Sequence, residues 1–78
     1  MRKKVLKLVI TFRTTTESMA MEKLCKENAA NGRMIPVPRE ISAGCGLAWA
    51  ADPEEKETLL ALMEEANLQA EGITECMV

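Results

Sequence analysis

The sequence predicts an α+β fold of the ferredoxin-like βαββαβ type, a four-stranded antiparallel sheet with two helices on one face. Three observations predict it: an opening segment that alternates apolar and polar residues, two segments with helix-start signals, and a proline-bearing extended segment between them. The chain has 78 residues, which is enough for one hydrophobic core. We therefore expect residues 1–78 to form a single domain.

The opening segment has the period of two that is typical of a β-strand. One face of this strand is expected to point into the core, and its residues are Leu6, Leu8, Ile10 and Phe12. The opposite face carries Val5 and Val9, which would leave a modest apolar patch exposed to solvent.

A first helix is predicted after this strand. Thr14 and Glu17 have the spacing of a capping box, in which each residue satisfies a free backbone N–H group of the helix start. Asn31-Gly32 is the expected end, because glycine readily adopts the left-handed conformation found there. The apolar side of the helix would consist of Ala20, Met21, Leu24 and Cys25.

The next segment, residues 33–39, is predicted to be extended. Pro36 and Pro38 each disfavour a helical conformation in the residue before them, and a proline within a sheet is tolerated on an edge strand. Residues 45–51 follow a short loop; their brevity and glycines favour a third strand over a helix.

A second helix has the clearest start signal in the sequence. Asp52 can cap it, Pro53 suits its first position, and Glu55 completes the capping box. Its buried stripe is expected to contain Leu59, Leu62, Met63 and Ala66. Gly72 then precedes a final strand over residues 73–78.

The composition excludes several classes of function. The chain contains no histidine, so it lacks self-contained Ser-His-Asp or Cys-His catalysis and the commonest zinc ligand. Phe12 and Trp49 are its only aromatic residues and its net charge is −2, which argues against a stacking or basic surface for nucleic acid. We therefore expect no nucleic-acid partner, no metal and no cofactor.

The cysteines and the apolar segments indicate a cytoplasmic protein. The chain has three cysteines, an odd number, and they are far apart in the sequence. Free thiols in a reducing compartment explain this pattern better than a set of disulfides does. No segment approaches the roughly 20 apolar residues of a membrane span, and Lys7 interrupts the apolar stretch that a secretory signal would need. We expect no membrane association.

Cys45 is the most distinctive candidate for chemistry, because it lies between Gly44 and Gly46. Glycines leave a thiol with little cover and let backbone N–H groups converge on an anion, and Arg39 could add a positive charge. A thiol with an ordinary pKa of about 8.5 is roughly 3% ionised at pH 7, and about 2 kcal/mol of differential stabilisation makes it half ionised. The alternative is that Cys45 merely occupies a tight loop before a strand.

The run at positions 35–48 reads Ile-Pro-Val-Pro-Arg-Glu-Ile-Ser-Ala-Gly-Cys-Gly-Leu-Ala. It resembles the Se/S carrier protein-like family, whose pattern combines Pro-x-Pro-Arg, Ile-Ser and Gly-Cys-Gly-Leu-Ala. The resemblance implies a carrier that accepts sulfane sulfur or selenium on Cys45 from a cysteine desulfurase-like donor and delivers it to an acceptor enzyme. Such a protein would be at most a persulfide or selenosulfide carrier, or a sulfurtransferase-like protein, if it is an enzyme. The supporting residues that it implies are Pro36, Pro38, Arg39, Ser42, Gly44 and Gly46.

Other interpretations stay open at the level of sequence. Cys25 fits core packing, and Cys76 fits either a structural role or a resolving thiol that pairs with Cys45 in a redox switch. A non-catalytic ferredoxin-like interaction or regulatory module is the main rival to the carrier, and a weak homodimer through the open sheet face belongs to the same class.

Overall fold

A computed structural model describes residues 5–38, 41 and 46–77 of the chain. Within these residues the elements run β1 (Leu6–Thr11), α1 (Thr15–Glu27), β2 (Arg33–Pro36), β3 (Leu47–Ala51), a 3-10 turn (Pro53–Glu55), α2 (Lys56–Glu65) and β4 (Gly72–Met77). The strands form one antiparallel sheet in the order β2-β3-β1-β4. The predicted ferredoxin-like α+β fold is confirmed.

The central strands of the sheet are β1 and β3. β1 pairs with β3 on one side, through Leu8 with Ala51, and with β4 on the other, through Leu8 with Glu75. β2 pairs with β3, through Met34 with Trp49. β2 and β4 are therefore the edge strands, which confirms the edge position expected from the prolines.

One face of the sheet packs on both helices and forms the core. The buried cluster comprises Leu8, Ile10, Phe12, Met21, Cys25, Trp49, Ala51, Leu59 and Met63. It includes residues of both helices and of the central strands, so a single core holds the domain together. Leu6 departs from the prediction: it is 48% exposed and pairs with Met77, which is 51% exposed.

The opposite face of β1 also differs from the prediction. Val9 was expected to contribute to an exposed apolar patch, but its exposed fraction is 0%. It lies in the middle of a central strand, with Ala50 and Thr74 in register on its two sides. Val5 alone of the predicted pair is exposed, so the patch is not formed.

The first helix begins as predicted and ends earlier. The Glu17 N–H donates to Thr14 Oγ1 at 3.2 Å, and the Thr14 hydroxyl donates to Glu17 Oε1 at 3.3 Å. The helix ends at Glu27, and Ala29 adopts the left-handed conformation with φ of 52°. The predicted end at Asn31-Gly32 is therefore wrong by one turn.

The start of the second helix is built differently from the predicted capping box. The Asp52 side chain makes no capping hydrogen bond. Its Oδ1 instead accepts from Lys7 Nζ at 2.7 Å, and Glu55 Oε1 accepts from Asn31 Nδ2 at 2.9 Å. Both candidate capping side chains are thus engaged with distant parts of the chain, and a 3-10 turn precedes α2.

Candidate functional site: the β2–β3 loop

The segment that contains Cys45 in the sequence connects the edge strand β2 to the central strand β3. Pro36, the last residue of β2, is paired with Leu47, the first residue of β3. The Val37 N–H donates to the Gly46 carbonyl at 3.0 Å, one residue beyond that pair. We call residues 38–45 the β2–β3 loop, and the hydrogen bond between Val37 and Gly46 holds together the two residues that flank it.

Pro36 fits this position because of the direction of its backbone nitrogen. The Val37 N–H points toward β3, and successive backbone groups in a strand point in opposite directions. The nitrogen of Pro36 consequently faces the outer edge of the sheet. Proline costs no ladder hydrogen bond here and removes a donor that another strand could use.

The base of the loop contains one glycine whose conformation matters. Gly46 has φ of 76°, in the left-handed region, and is exposed. A Cβ atom at Gly46 would meet no atom within 4 Å, so backbone conformation rather than crowding favours glycine at this position. Within the loop, the Ile41 N–H donates to the Pro38 carbonyl at 3.0 Å.

Gly32 and Trp49 are in close contact where the chain enters β2, a contact that the sequence analysis did not identify. Gly32 precedes β2 with φ of 129°, and a Cβ atom there would collide with the Trp49 indole and lie 2.8 Å from the Ala50 carbonyl oxygen. Trp49 Nε1 is buried and has no hydrogen-bond partner among the described residues. The sequence signals for this contact were a glycine just before a strand and the single tryptophan of the chain.

The structure describes some of the predicted site residues and not others. Pro36, Pro38 and Gly46 lie at the base of the loop. The remaining predicted site residues lie outside the described residues, and their roles stay predictions; they are Arg39, Ser42, Gly44 and Cys45.

The other two cysteines differ in their surroundings. Cys25 is fully buried in the core, and burial raises the pKa of its thiol, which keeps it protonated and unreactive. The expected packing role of Cys25 is confirmed. Cys76 is half-buried and in register with Lys7, on the face of the sheet opposite the helices. Its pairing with Cys45 remains a prediction.

Neither a metal cluster nor a membrane-spanning helix is found in the described part of the chain. No group of three His, Cys, Asp or Glu side chains among residues 5–38, 41 and 46–77 is placed to hold a metal ion. Within the same residues, no helix combines the length and the apolar character needed to cross a membrane.

Comparisons with known proteins identify the family. No curated protein matches the chain, and no solved structure matches it. The model of the family described as "Putative Se/S carrier protein-like" matches residues 7–75, which span β1, both helices, the β2–β3 loop and most of β4. The chain therefore belongs to the Se/S carrier protein-like family.

Proposed function

We propose that this protein carries sulfane sulfur or selenium on the thiol of Cys45 and delivers it to an acceptor protein. The observation that carries the proposal is the family match over residues 7–75, which includes Cys45. The closed base of the β2–β3 loop supports it, because a thiol beside the base of a loop can be offered to a docked partner without unfolding of the sheet.

The proposed loading step exchanges one sulfur–sulfur bond for another. The Cys45 thiolate attacks the terminal sulfur of a persulfide on a donor, which a cysteine desulfurase-like protein supplies. The bond between the two donor sulfurs breaks, the donor thiolate leaves, and Cys45 becomes a persulfide. Delivery repeats the exchange: an acceptor thiolate attacks the terminal sulfur and the Cys45 thiolate is released. No external oxidant or reductant is needed.

The proposed shell around Cys45 serves this exchange. Arg39 and the backbone N–H groups beside Gly44 and Gly46 would stabilise the thiolate and the persulfide anion, and Ser42 would add a hydrogen-bond donor. Pro36 and Pro38 restrict the conformations of the segment that leads to Arg39. The chain needs no histidine for this chemistry, because the donor and the acceptor each bring their own thiol.

The loading experiment tests the proposal directly. The protein is incubated with a cysteine desulfurase and cysteine, and in parallel with a selenocysteine lyase and selenocysteine, and its mass is measured before and after reduction. We expect the addition of one reducible sulfur or selenium atom, mapped to the Cys45 peptide, and the two arms distinguish the cargo.

Three single variants serve as matched controls for loading. Cys25→Ser and Cys76→Ser should load like the unmodified protein, and Cys45→Ser should not load at all. Equal loading of Cys45→Ser would overturn the proposal. Longer retention of the persulfide in Cys76→Ser than in Cys25→Ser would assign the resolving role to Cys76, because a resolving thiolate attacks the inner sulfur of the persulfide, forms a Cys45–Cys76 disulfide and releases hydrosulfide.

The pH dependence of alkylation gives an independent measurement on the free protein. Each cysteine peptide is followed by mass spectrometry during reaction with iodoacetamide between pH 5 and pH 10. We expect Cys45 to react at a lower pH than Cys76, and Cys25 to react slowest because burial raises the pKa of its thiol. A Cys45 that titrates like an ordinary thiol would contradict the proposed anion-stabilising shell.

A further inference from the structure

An apolar groove lies between α2 and the edge strand β4. This α2–β4 groove has a volume of about 570 Å³, and the apolar side chains in its lining are Leu60, Met63, Leu68 and Ile73. Ile73 is 39% exposed although it belongs to the helix-covered face of the sheet. The apolar surface continues along β4 to the exposed pair Leu6 and Met77.

β4 itself has the geometry of an accepting edge. It pairs with β1 on one side and has no described strand on the other. Its helix-side residues Ile73, Glu75 and Met77 alternate along the strand as apolar, acidic and apolar. At about 3.3 Å per residue, the distance from Ile73 to Met77 is roughly 13 Å. A strand added to this edge would place its own alternate side chains beside these three.

The charge of this region has one sign. Lys56 is the last basic residue of the sequence, and five glutamates follow it. Glu64 lines the α2–β4 groove, and Glu75 stands in the middle of β4. The one salt bridge among the described residues joins Lys7 to Asp52, so neither of these glutamates is neutralised by a described cation.

A second surface depression has a different charge pattern from the α2–β4 groove. The α1 groove, about 430 Å³ in volume, follows the outer face of the first helix and is lined by charged residues of both signs, Glu22, Lys23, Lys26 and Glu27. Its charges balance, whereas the α2–β4 groove and β4 present only carboxylates. The two depressions therefore differ in the partner that they could attract.

We propose that β4 accepts an extended segment of a partner protein in which a lysine or arginine lies between large apolar residues at alternate positions. The apolar side chains occupy the α2–β4 groove and the surface of Leu6 and Met77, and the cation pairs with Glu75. A second copy of the chain is the poorer occupant, because pairing β4 with β4 brings the two Glu75 carboxylates close together.

The proposed docking edge is independent of the sulfur chemistry. The sheet order places β3 and β1 between β2 and β4, so the two edge strands lie on opposite sides of the sheet. A partner held along β4 would occupy the edge opposite β2, and the interaction requires no thiol. The proposal goes beyond carriage on Cys45, and its test is performed on Cys45→Ser as well as on the unmodified chain.

Selection from a random library of displayed 12-residue peptides tests the docking edge, because the library offers basic, acidic and uncharged segments alike. We expect enrichment of peptides with Lys or Arg flanked by large apolar residues at alternate positions. Titration of an enriched peptide into isotope-labelled protein should shift backbone amide resonances of β4 and of residues 60–73. Selection of acidic or uncharged peptides, shifts confined to the α1 groove, or no enrichment would overturn the proposal.

Matched variants make the test sharper. Glu75→Lys should weaken the peptide about tenfold, since it turns an opposite-charge pair into a like-charge one. Glu27→Lys, the same change in the α1 groove, should leave the dissociation constant unchanged. Ile73→Thr should weaken binding and Val5→Thr should not, as Val5 is exposed outside the α2–β4 groove. Equal effects of Glu75→Lys and Glu27→Lys would mean that binding depends only on the net charge of the protein, which would overturn the proposal. Self-association through β4 would overturn it as well.

Discussion

The molecule consists of two βαβ halves built on the same plan, β1-α1-β2 and β3-α2-β4. Each half contributes a central strand, a helix and an edge strand. Both helices end in the same way: a left-handed residue, Ala29 or Asn67, is followed by a residue whose N–H reaches back to a carbonyl of the last turn. These bonds join Ala30 to Cys25 and Leu68 to Met63, both at 2.8 Å.

The halves differ where they reach the edges of the sheet. The first half ends in a strand of four residues that carries Pro36. The second ends in a strand of six residues without proline, with acidic Glu75 at its centre. Proline disfavours strand addition at the β2 edge, whereas the β4 edge carries no proline and has no further strand among the described residues. The same architecture in the two halves thus ends in edge strands with different chemical properties.

The largest effect is expected for Gly32→Ala. Both a φ of 129° and the contact with the Trp49 ring and the Ala50 carbonyl oxygen oppose a Cβ atom at this position. We expect the free energy of unfolding to fall by about 3 kcal/mol, measured by urea denaturation.

Gly72→Ala is the matched control in the other half, because Gly72 likewise stands where the chain enters an edge strand. A Cβ atom there would meet Thr11 Oγ1 at 3.2 Å, which a small side-chain adjustment relieves. A loss of about 1 kcal/mol or less is expected. Equal losses at the two glycines would contradict the close approach of Gly32 to Trp49 as the cause.

The next largest effect is the pH dependence of the free energy of unfolding, to which α1 contributes through Cys25 and α2 does not through Met63. Cys25 and Met63 are equivalent buried residues, each supplying the carbonyl that closes its helix, but Cys25 can ionise. Burial raises the pKa of Cys25 in the folded state, so the folded chain retains a proton that the unfolded chain loses. Stability contributed by this proton is complete below the ordinary thiol pKa and is lost as the pH rises toward the folded-state pKa.

The stability of the unmodified protein should therefore fall above the ordinary thiol pKa, by no more than about 1.4 kcal/mol per pH unit for this one group. Cys25→Ala is less stable at neutral pH because of the cavity, but its stability should decline less steeply. Urea denaturation at several pH values between 7 and 10 measures both slopes. Parallel slopes for the two proteins would show that Cys25 does not contribute.

Pro36→Val tests whether proline closes the β2 edge. The Pro36 nitrogen faces away from β3, so the new N–H group has no partner within the described ladder and the free energy of unfolding should change by less than about 1 kcal/mol. Sedimentation should instead reveal stronger concentration-dependent self-association than in the unmodified protein, because the edge gains a free donor. Pro38→Val, outside the strand, is the control; association of both variants alike would refute the edge explanation.

The sequence was a good guide where structure depends on neighbouring residues. The strand β1, the start of α1 at the Thr14 cap and the edge position of the proline-bearing strand depend on residues close in the chain, and all three are confirmed. The family resemblance, which rests on one contiguous motif, is confirmed as well. The roles of Arg39 and Cys45 remain predictions, because they depend on how a loop outside the described residues is arranged.

The predictions that fail depend on distant contacts. The carboxylate of Asp52 was expected to cap α2, but a lysine 45 residues away takes it. Val9 looked exposed from its alternation alone, because alternation identifies the two faces of a strand and says nothing of how far each is covered. The early end of α1 had no sequence signal, since alanine seldom adopts a left-handed conformation.

That left-handed alanine gives the smallest predicted effect and the closest comparison of the two halves. Ala29 has φ of 52° and Asn67 has φ of 56°, at equivalent positions in the same helix-ending motif. Alanine has a steric penalty in this conformation, which asparagine tolerates better and glycine avoids. Ala29→Gly should therefore raise the free energy of unfolding by about 0.5–1 kcal/mol, and Asn67→Gly by only a few tenths, about 0.3 kcal/mol. Thermal and urea denaturation of the two variants measure the difference. A larger increase in the free energy of unfolding at Asn67 than at Ala29 would mean that the two helix ends are not equivalent. The end of α1 would then be stabilised by its neighbours Gly32 and Trp49 rather than by its own helix-ending motif.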